Sequence, residues 1–582
     1  MRDFLLRGCA ALGVAVALVT EILSPFHLLR RGPLVAVWLV LAAVAAYRWR
    51  KQFRWPAPPF HLLETAAALV CGAIVAVVAV TAWVSPPNSA DAMAYHMPRV
   101  IYWAQSGSVA FFPTPYFNQV SLQPLAEYFA LHTYLLSGGD HFVNLVTCAA
   151  FLAAIVAVSA LAGELGAGTR GQALAALFCA TLPNGILQAS GAKNEWMVAL
   201  WLTCAAYFAA RKNAAFTGLA LGLALATKAT AYLFAPPLLL AILLLRRPKM
   251  RGRALAWIAA GVLLINTPQY IRNLHLSGSP LGYDSAQGDG VYRWRNEHPG
   301  LQSTISNLVR DTSDQLGDRS PRWDRAVFHA ALAIHRTLGI DPDDPATTWP
   351  GAQFAAPTNA NHEANANNRW HLLLLAIAAV FAAATRRRTW WIYGASLMCA
   401  FLLFCFYLKW QPFMSRLELP LFALAAPLAG AFLEAIPPAA AVAICLFFLM
   451  NARLPLFQNW TRPLTGTHSL FAATRDDNYF RDMTQWDNRA SYQSAVHLTA
   501  RSGCGTVGID ISRNQLEYPY QALLRERNPA VRFWHVGVDH PARPCAVFCP
   551  DCAGVAGKAE AYREIGPPIE IGHFLLFLPA PK

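Results

Sequence analysis

Apolar blocks separated by short polar turns fill most of the first 450 residues. Thirteen of them, near 4–23, 33–47, 60–84, 142–165, 173–189, 196–210, 214–227, 231–245, 254–268, 370–384, 390–408, 417–434 and 437–450, read as membrane-crossing helices. Runs of roughly 20 apolar residues match the hydrocarbon thickness of a bilayer. The pattern therefore predicts an α-helical polytopic membrane protein. The first block has Arg2 ahead of it but no small-residue cleavage site after it, so it is read as a retained helix rather than a signal peptide. Three long segments interrupt the rhythm: 85–141, 269–369 and 451–582. Within the first, Pro124 to Leu136 is apolar enough to lie in or partly enter the membrane. The second is rich in Asp, Asn, Pro and Gly and predicts an irregular cap. In the third, Thr506–Ile509, Arg532–Val538 and Phe574–Leu578 read as strands, and Tyr479–Ala500 and Glu517–Arg525 as helices. The expected organisation is a pair of N-terminal spans (1–59), a helical module (60–450) and a small soluble α/β domain (451–582).

Composition agrees: 55% of the chain is hydrophobic and only 14% charged, too little charge to cover a soluble protein of this length. A net charge of +14 would suit a nucleic-acid binder. Its distribution excludes that reading. Arg48, Arg50, Lys51 and Arg54 share one short turn, Arg246, Arg247, Lys249, Arg251 and Arg253 a second, and Arg386, Arg387 and Arg388 a third. With the N-terminus inside, all three clusters and Arg211–Lys212 fall on the cytoplasmic side, as the positive-inside rule requires. The three long segments then lie outside. Eight of the twelve cysteines sit in apolar blocks; the others, Cys504, Cys545, Cys549 and Cys552, sit in the exported tail. Four cysteines in an oxidising compartment predict two disulfides, with three pairings open. The Cys549-Pro550-Asp551-Cys552 step also suits half a zinc site or a redox motif, but no second close pair completes a zinc ribbon.

Ionisable residues at span ends are functional candidates, and here they gather on one side. The third span is followed by Asp91-Ala92-Met93-Ala94-Tyr95-His96-Met97-Pro98-Arg99. Asp91 lies about one turn beyond the boundary, where it is equally suited to capping a helix or to catalysis. Later outer turns carry Lys193-Asn194-Glu195, Thr227-Lys228, Arg272-Asn273 and Lys409 with Ser415-Arg416. Each alone is a common cap or snorkelling residue. Together they place carboxylates beside cations at one membrane face. A carboxylate draws the proton from a hydroxyl nucleophile, and Lys and Arg neutralise a phosphate leaving group. No glycine-rich phosphate loop is present, which argues against a nucleotide donor.

The Asp91 to Pro98 segment, Gln123-Pro124-Leu125, the Lys193-Asn194-Glu195 turn, Gly222 with Thr227-Lys228, Arg272-Asn273 before Gly278-Ser279-Pro280, and Trp410-Gln411-Pro412 with Ser415-Arg416 resemble the GT-C superfamily. The closest branch is the protein O-mannosyltransferases and aminoarabinose transferases, and the likeness runs over roughly 60–470. The resemblance implies a bacterial inner-membrane glycosyltransferase with its site facing the periplasm, a polyprenyl-phosphate-linked sugar as donor, and a lipid, glycan or protein as acceptor. It implies Asp91 as catalytic residue, with Glu195 as its second carboxylate. Lys228, Arg272, Arg416 and Lys409 would hold the donor phosphate, and Tyr95, His96 and Arg99 the substrate. Glu195 stands where many relatives have Asp, two spans precede the usual first one, and the tail matches no known acceptor-binding module.

His362 and Glu363, with His371, are the candidates to join Asp91 or Glu195 around a divalent metal ion, though His362 and His371 lack the spacing of a helical zinc pair, and exposed loop polar residues are the commoner reading. Rival functions are weaker. A transporter or flippase commonly shows internal repeats and mid-span charges, neither of which is visible. An O-antigen-ligase-type transferase would rely on Arg and His and leave Asp91 unexplained. A pure scaffold has no need of charges gathered on one face.

Overall fold

The computed structural model describes residues 1–49, 62–246, 252–482, 485–511, 516–538, 543–550 and 552–580. Arg50, Lys51, Arg54, Arg247, Lys249 and Arg251, from the predicted cytoplasmic clusters, lie outside the described residues. Among the described residues seven helices are long and apolar enough to cross a membrane: Arg2–Phe26, Arg31–Arg48, Leu62–Val84, Val143–Glu164, Gly252–Ser277, Arg388–Tyr407 and Pro438–Phe457. Five shorter apolar helices accompany them, Glu195–Ala210, Ala214–Thr227, Ala231–Leu245, Arg369–Ala384 and Leu419–Ala435.

The remaining expected span, 173–189, is two helices, Thr169–Ala180 and Pro183–Gln188. Pro183 lacks an N–H and disfavours helical backbone at the residue before it, so the chain breaks at Thr181–Leu182. Small residues set the tightest packing. A Cβ on Gly218 would lie 2.6 Å from the Ile258 Cα, and one on Gly222 2.8 Å from the Gly261 carbonyl oxygen. Gly218 and Gly222, four apart on helix Ala214–Thr227, thus let it approach helix Gly252–Ser277 backbone to backbone, as small residues do between membrane helices.

The long segment 269–369 contains two helices, Leu301–Leu316 and Pro321–Leu338, where an irregular cap was expected. The first buries a polar face of Asn307, Arg310 and Asp311, so no apolar stripe betrays it. Asn307 donates to the Cys405 and Leu408 carbonyls at 2.8 and 2.7 Å, fastening this cap to the end of helix Arg388–Tyr407.

The tail forms a five-stranded sheet of order β2-β1-β3-β5-β4, with β1 (Thr506–Ile509), β2 (Arg532–His535), β3 (Ala546–Cys549), β4 (Pro568–Ile571) and β5 (Phe574–Phe577). Strand β1 runs parallel to β2 and β3, while β5 is antiparallel to β3 and β4. Disulfides join Cys504 to Cys545 and Cys549 to Cys552. Buried polar bonds fix this domain on the helical module. Tyr102 donates to Glu517 at 2.9 Å, Gln119 to Glu517 at 2.6 Å, and Tyr479 and Tyr518 both to Asp140 at 2.6 Å. The domain therefore holds the segment 85–141 that carries Asp91.

Candidate active site

The segment after helix Leu62–Val84 enters a π-turn, Ala92–His96, that runs into helix Met97–Ser106. Asp91 stands at the head of this turn but makes no capping bond. Ser89 supplies that contact, its Oγ accepting from the Ala92 N–H at 3.4 Å. The Asp91 carboxylate instead faces cations. Its Oδ2 accepts from Lys193 Nζ at 3.1 Å and from Arg416 Nη1. Its Oδ1 has no protein partner among the described residues. The Asp91 side chain keeps 19% of its surface open, against 3% for Lys193, so the free oxygen is the reachable one. Burial alone would raise the carboxyl's pKa, but Arg416, Lys193 and His96 outweigh it and hold the group well below the usual carboxylate range.

A second pair adjoins the first. Lys228 Nζ donates to Glu195 Oε1 at 2.8 Å and to Asn194 Oδ1 at 2.9 Å. Burial lowers the Lys228 pKa, and Arg416 nearby adds to that, opposed by Glu195. Among the described residues Lys193, Lys228 and Arg416 make their ion pairs with Asp91 and Glu195 alone; Glu363, also within reach of the Lys193 charge, is paired with Arg462. One positive charge in the group is left unneutralised, beside an open carboxylate oxygen. Anions with several acceptor oxygens match such a site.

Four segments far apart in sequence meet here, and a buried arginine holds them. Arg462 is fully buried. It donates to Asn88 Oδ1 at 2.9 Å, Ser190 Oγ at 3.0 Å and the Leu187 carbonyl at 3.1 Å, and pairs with Glu363 at 3.2 Å. A Cβ on Gly191 would lie 3.3 Å from this guanidinium, so a larger residue there would push the guanidinium aside by a few tenths of an ångström. Asp482 completes the frame by accepting from the Ala90 N–H at 2.7 Å.

The other predicted residues lie as follows. Arg272 forms a two-pronged pair with Glu21, 2.8 and 2.6 Å, and donates to Tyr128. Lys409 donates to Glu297 and the Pro345 carbonyl, both at 2.7 Å. Neither shares a bond with the Asp91 group. Arg99 is fully buried, donating to the Val120 carbonyl at 2.7 Å and lying over the Trp103 ring. Tyr95 packs on His96, and its hydroxyl has no protein partner among the described residues. His96 Nδ1 meets Glu127 Oε1 at 2.7 Å.

His362 and Glu363 are buried rather than exposed. With Asp482 they offer donor atoms within 4.8 Å of one another, and these three are the residues suited to a divalent ion. As they stand they satisfy one another and their neighbours: His362 Nε2 meets Asp482 at 2.6 Å, and Thr461 donates to Glu363 at 2.8 Å. The similar trio Asp510, Cys549 and Cys552 has its sulfurs in a disulfide. Lys193 and Glu127 were not singled out by sequence reasoning. Lys193 had a signal, standing two residues before Glu195 on the same turn; Glu127 had none beyond a lone acid in an apolar helix.

No protein-family model matches the chain, and no curated protein matches it in sequence. Solved structures do. ArnT from Cupriavidus metallidurans, in the apo state, superposes with a TM-score of 0.53 at 14% identity, covering 89% of this chain and 99% of that one. The same enzyme bound to undecaprenyl phosphate gives 0.50 at 14% identity, covering 89% and 100%. The Archaeoglobus fulgidus oligosaccharyltransferase gives 0.41 at 12% identity, covering 78% and 64%. The likeness shows that the chain has the ArnT fold. The GT-C assignment made from short motifs in the sequence is supported at the level of fold, with the ArnT likeness spanning nearly the whole chain. The Asp91 group lies at helix ends and in the loops that join them.

Proposed function

We propose that the protein is a membrane glycosyltransferase. It moves a sugar from a polyprenyl-phosphate donor to an acceptor hydroxyl at the outer face of a bacterial inner membrane. The observation that carries this reading is the uncompensated cation beside a free carboxylate oxygen, set in a fold shared with an enzyme crystallised with undecaprenyl phosphate. Lys193, Lys228 and Arg416 bind the donor phosphate and stabilise the charge that grows on it as the sugar leaves. Asp91 Oδ1 accepts the hydrogen of the acceptor hydroxyl as general base. Glu195 keeps Lys228 aimed at the phosphate, and the Tyr95 hydroxyl is placed to contact the acceptor. A single base implies direct displacement with inversion at the sugar carbon. Arg272 and Lys409, each closed on a carboxylate, serve the scaffold in this reading.

The test is transfer in lipid nanodiscs, with a panel of polyprenyl-phosphate-linked pentoses and hexoses and an envelope lipid extract as acceptor. Free polyprenyl phosphate should appear, and only when acceptor is present. Movement of intact donor between leaflets with no release of polyprenyl phosphate would establish the flippase instead.

A further inference from the structure

Apart from the Asp91 group, the chain walls a cavity at the seam between the helical module and the tail domain. Helix Leu125–Ser137 stops at Gly138, whose φ of 84° suits glycine and strains other residues. The turn there carries Asp140 beneath the tail. Tyr479 and Tyr518 each donate to Asp140 Oδ2 at 2.6 Å, and Arg475 donates to Oδ1 at 2.8 Å. Beside these contacts lies a cavity of about 420 Å³, walled by Tyr134, Asp140, Tyr479, Tyr518, Arg525 and Glu526. That volume is in the range of small-ligand sites, which favour domain seams.

Floor and rim differ. Asp140, Tyr479 and Tyr518 are buried and bonded to one another, so the floor is already satisfied. The rim is not. Among the described residues Arg525 makes one long hydrogen bond, from Nη1 to the Tyr134 hydroxyl at 3.4 Å, and its buried Nε has no partner. Glu526, exposed near the end of helix Tyr518–Arg527, has a carboxylate with no hydrogen-bond or ion-pair partner among the described residues. Unused donors thus share one wall with an unused acceptor and the half-buried Tyr134 ring. Charge narrows the ligand. Arg475 offsets Asp140 and Arg525 offsets Glu526, so an anion such as a phosphate finds no surplus of donors. A hydrocarbon chain would leave both rim charges without partners. A sugar suits all of it: each hydroxyl both donates and accepts, and the C–H face of the ring packs on an aromatic side chain.

We infer that this cavity binds a sugar ring of the acceptor, which makes the acceptor a saccharide of more than one ring, free or lipid-linked. The inference rests on the transferase reading above and names its acceptor class. One strut of chain joins the cavity to the Asp91 segment. Arg475 and Tyr479 hold the cavity floor, the Asn478 carbonyl accepts from Asn88 at 2.9 Å, and Asp482 accepts from the Ala90 N–H at 2.7 Å. Tyr479 precedes Asp482 by so short a run that chain length alone keeps its backbone within about 20 Å of Asp91. A few sugar rings span that distance. The ring held here is a neighbour of the one whose hydroxyl reacts.

The test reads binding and transfer separately. Gly139 lines the cavity and a Cβ there would meet nothing within 4 Å, so Gly139→Trp fills the space without a clash at the backbone. The probe is the water-soluble oligosaccharide released from the envelope lipid extract by mild acid, titrated into the nanodisc protein and followed by saturation-transfer NMR. Glycerol phosphate serves as the anionic comparison. The parent should bind the oligosaccharide and not glycerol phosphate. Gly139→Trp should weaken that binding about tenfold or more, and Glu526→Gln about threefold. In the transfer assay each should raise the KM for acceptor by the same factor, with kcat and the KM for donor unchanged, as loss of ground-state binding requires. Transfer to the released oligosaccharide marks a free glycan as acceptor, and transfer to the intact lipid alone marks a glycolipid. Glycerol phosphate bound in place of the oligosaccharide overturns the inference, as does unchanged oligosaccharide binding in Gly139→Trp. If that variant fails to accumulate, unchanged binding in Glu526→Gln and Arg525→Met overturns it instead. Oligosaccharide binding that these variants abolish, in a parent that transfers nothing, keeps the saccharide site and sinks the transferase reading. Transfer with an acceptor KM blind to the variants does the reverse.

Discussion

Asp91→Asn should express and fold like the parent, retain donor binding, and transfer about 10²–10⁴-fold more slowly, the span typical of a positioned base. Asparagine keeps the size of the side chain and an oxygen for one cation. It removes the negative charge and the basic lone pair on Oδ1. The alternative role, a helix cap, predicts near-normal rates, since asparagine caps as well as aspartate. That alternative is already weak, because the Asp91 carboxylate makes no capping bond. Stability gives a second readout. The folded-state pKa of Asp91 lies below its unfolded value, so its ion pairs contribute fully at neutral pH and fade as pH falls through and below the ordinary carboxylate range. Asp91→Asn should lose that part of the acid dependence while stability at low pH is unchanged. Retention of most of the transfer rate would move the base to Glu195.

The largest effect on stability is expected at Arg462. Arg462→Met preserves much of the apolar stem but strips Glu363, Asn88 and Ser190 of their shared partner and leaves the buried Glu363 carboxylate without its ion pair. Removing one member of a buried pair typically costs about 3–5 kcal/mol. The thermal midpoint in nanodiscs should fall clearly. Transfer should fall with it, because Asn88 and Ser190 carry the two loops that bring Asp91 and Lys193 together. Arg543→Ala is the matched control: its pair with Glu564 is highly exposed, and exposed pairs contribute little, so the midpoint should stay put. Equal midpoints for the two variants would show that Arg462 does not hold the frame.

The bundle was legible because membrane helices announce themselves by length and apolar content, and even the short helix Ala214–Thr227 was found at its observed bounds. Places where burial is polar, or where no alternation exists, were not. Helix Leu301–Leu316 hides behind its buried Asn307, Arg310 and Asp311. Strand β3 is buried at all four positions and shows no period-2 signal, whereas β5, buried in the same way, was read from its longer apolar run. At the candidate site, Asp91, Glu195, Lys228 and Arg416 drew notice because charge at a span end is costly, and the structure brings these four side chains together. Which cation meets which carboxylate depends on helices packing from four parts of the chain. Local sequence had no means of separating Arg416, which reaches Asp91, from Arg272, which pairs with Glu21.

The most direct measurement is a cryo-electron-microscopy structure in nanodiscs with undecaprenyl phosphate added. The phosphate is predicted within hydrogen-bond reach of Lys228 and Arg416, with Asp91 Oδ1 open beside it and the isoprenoid chain among the helices. A phosphate held by Arg272 or Lys409 instead, with Asp91 still closed on Lys193 and Arg416, would contradict the assignment.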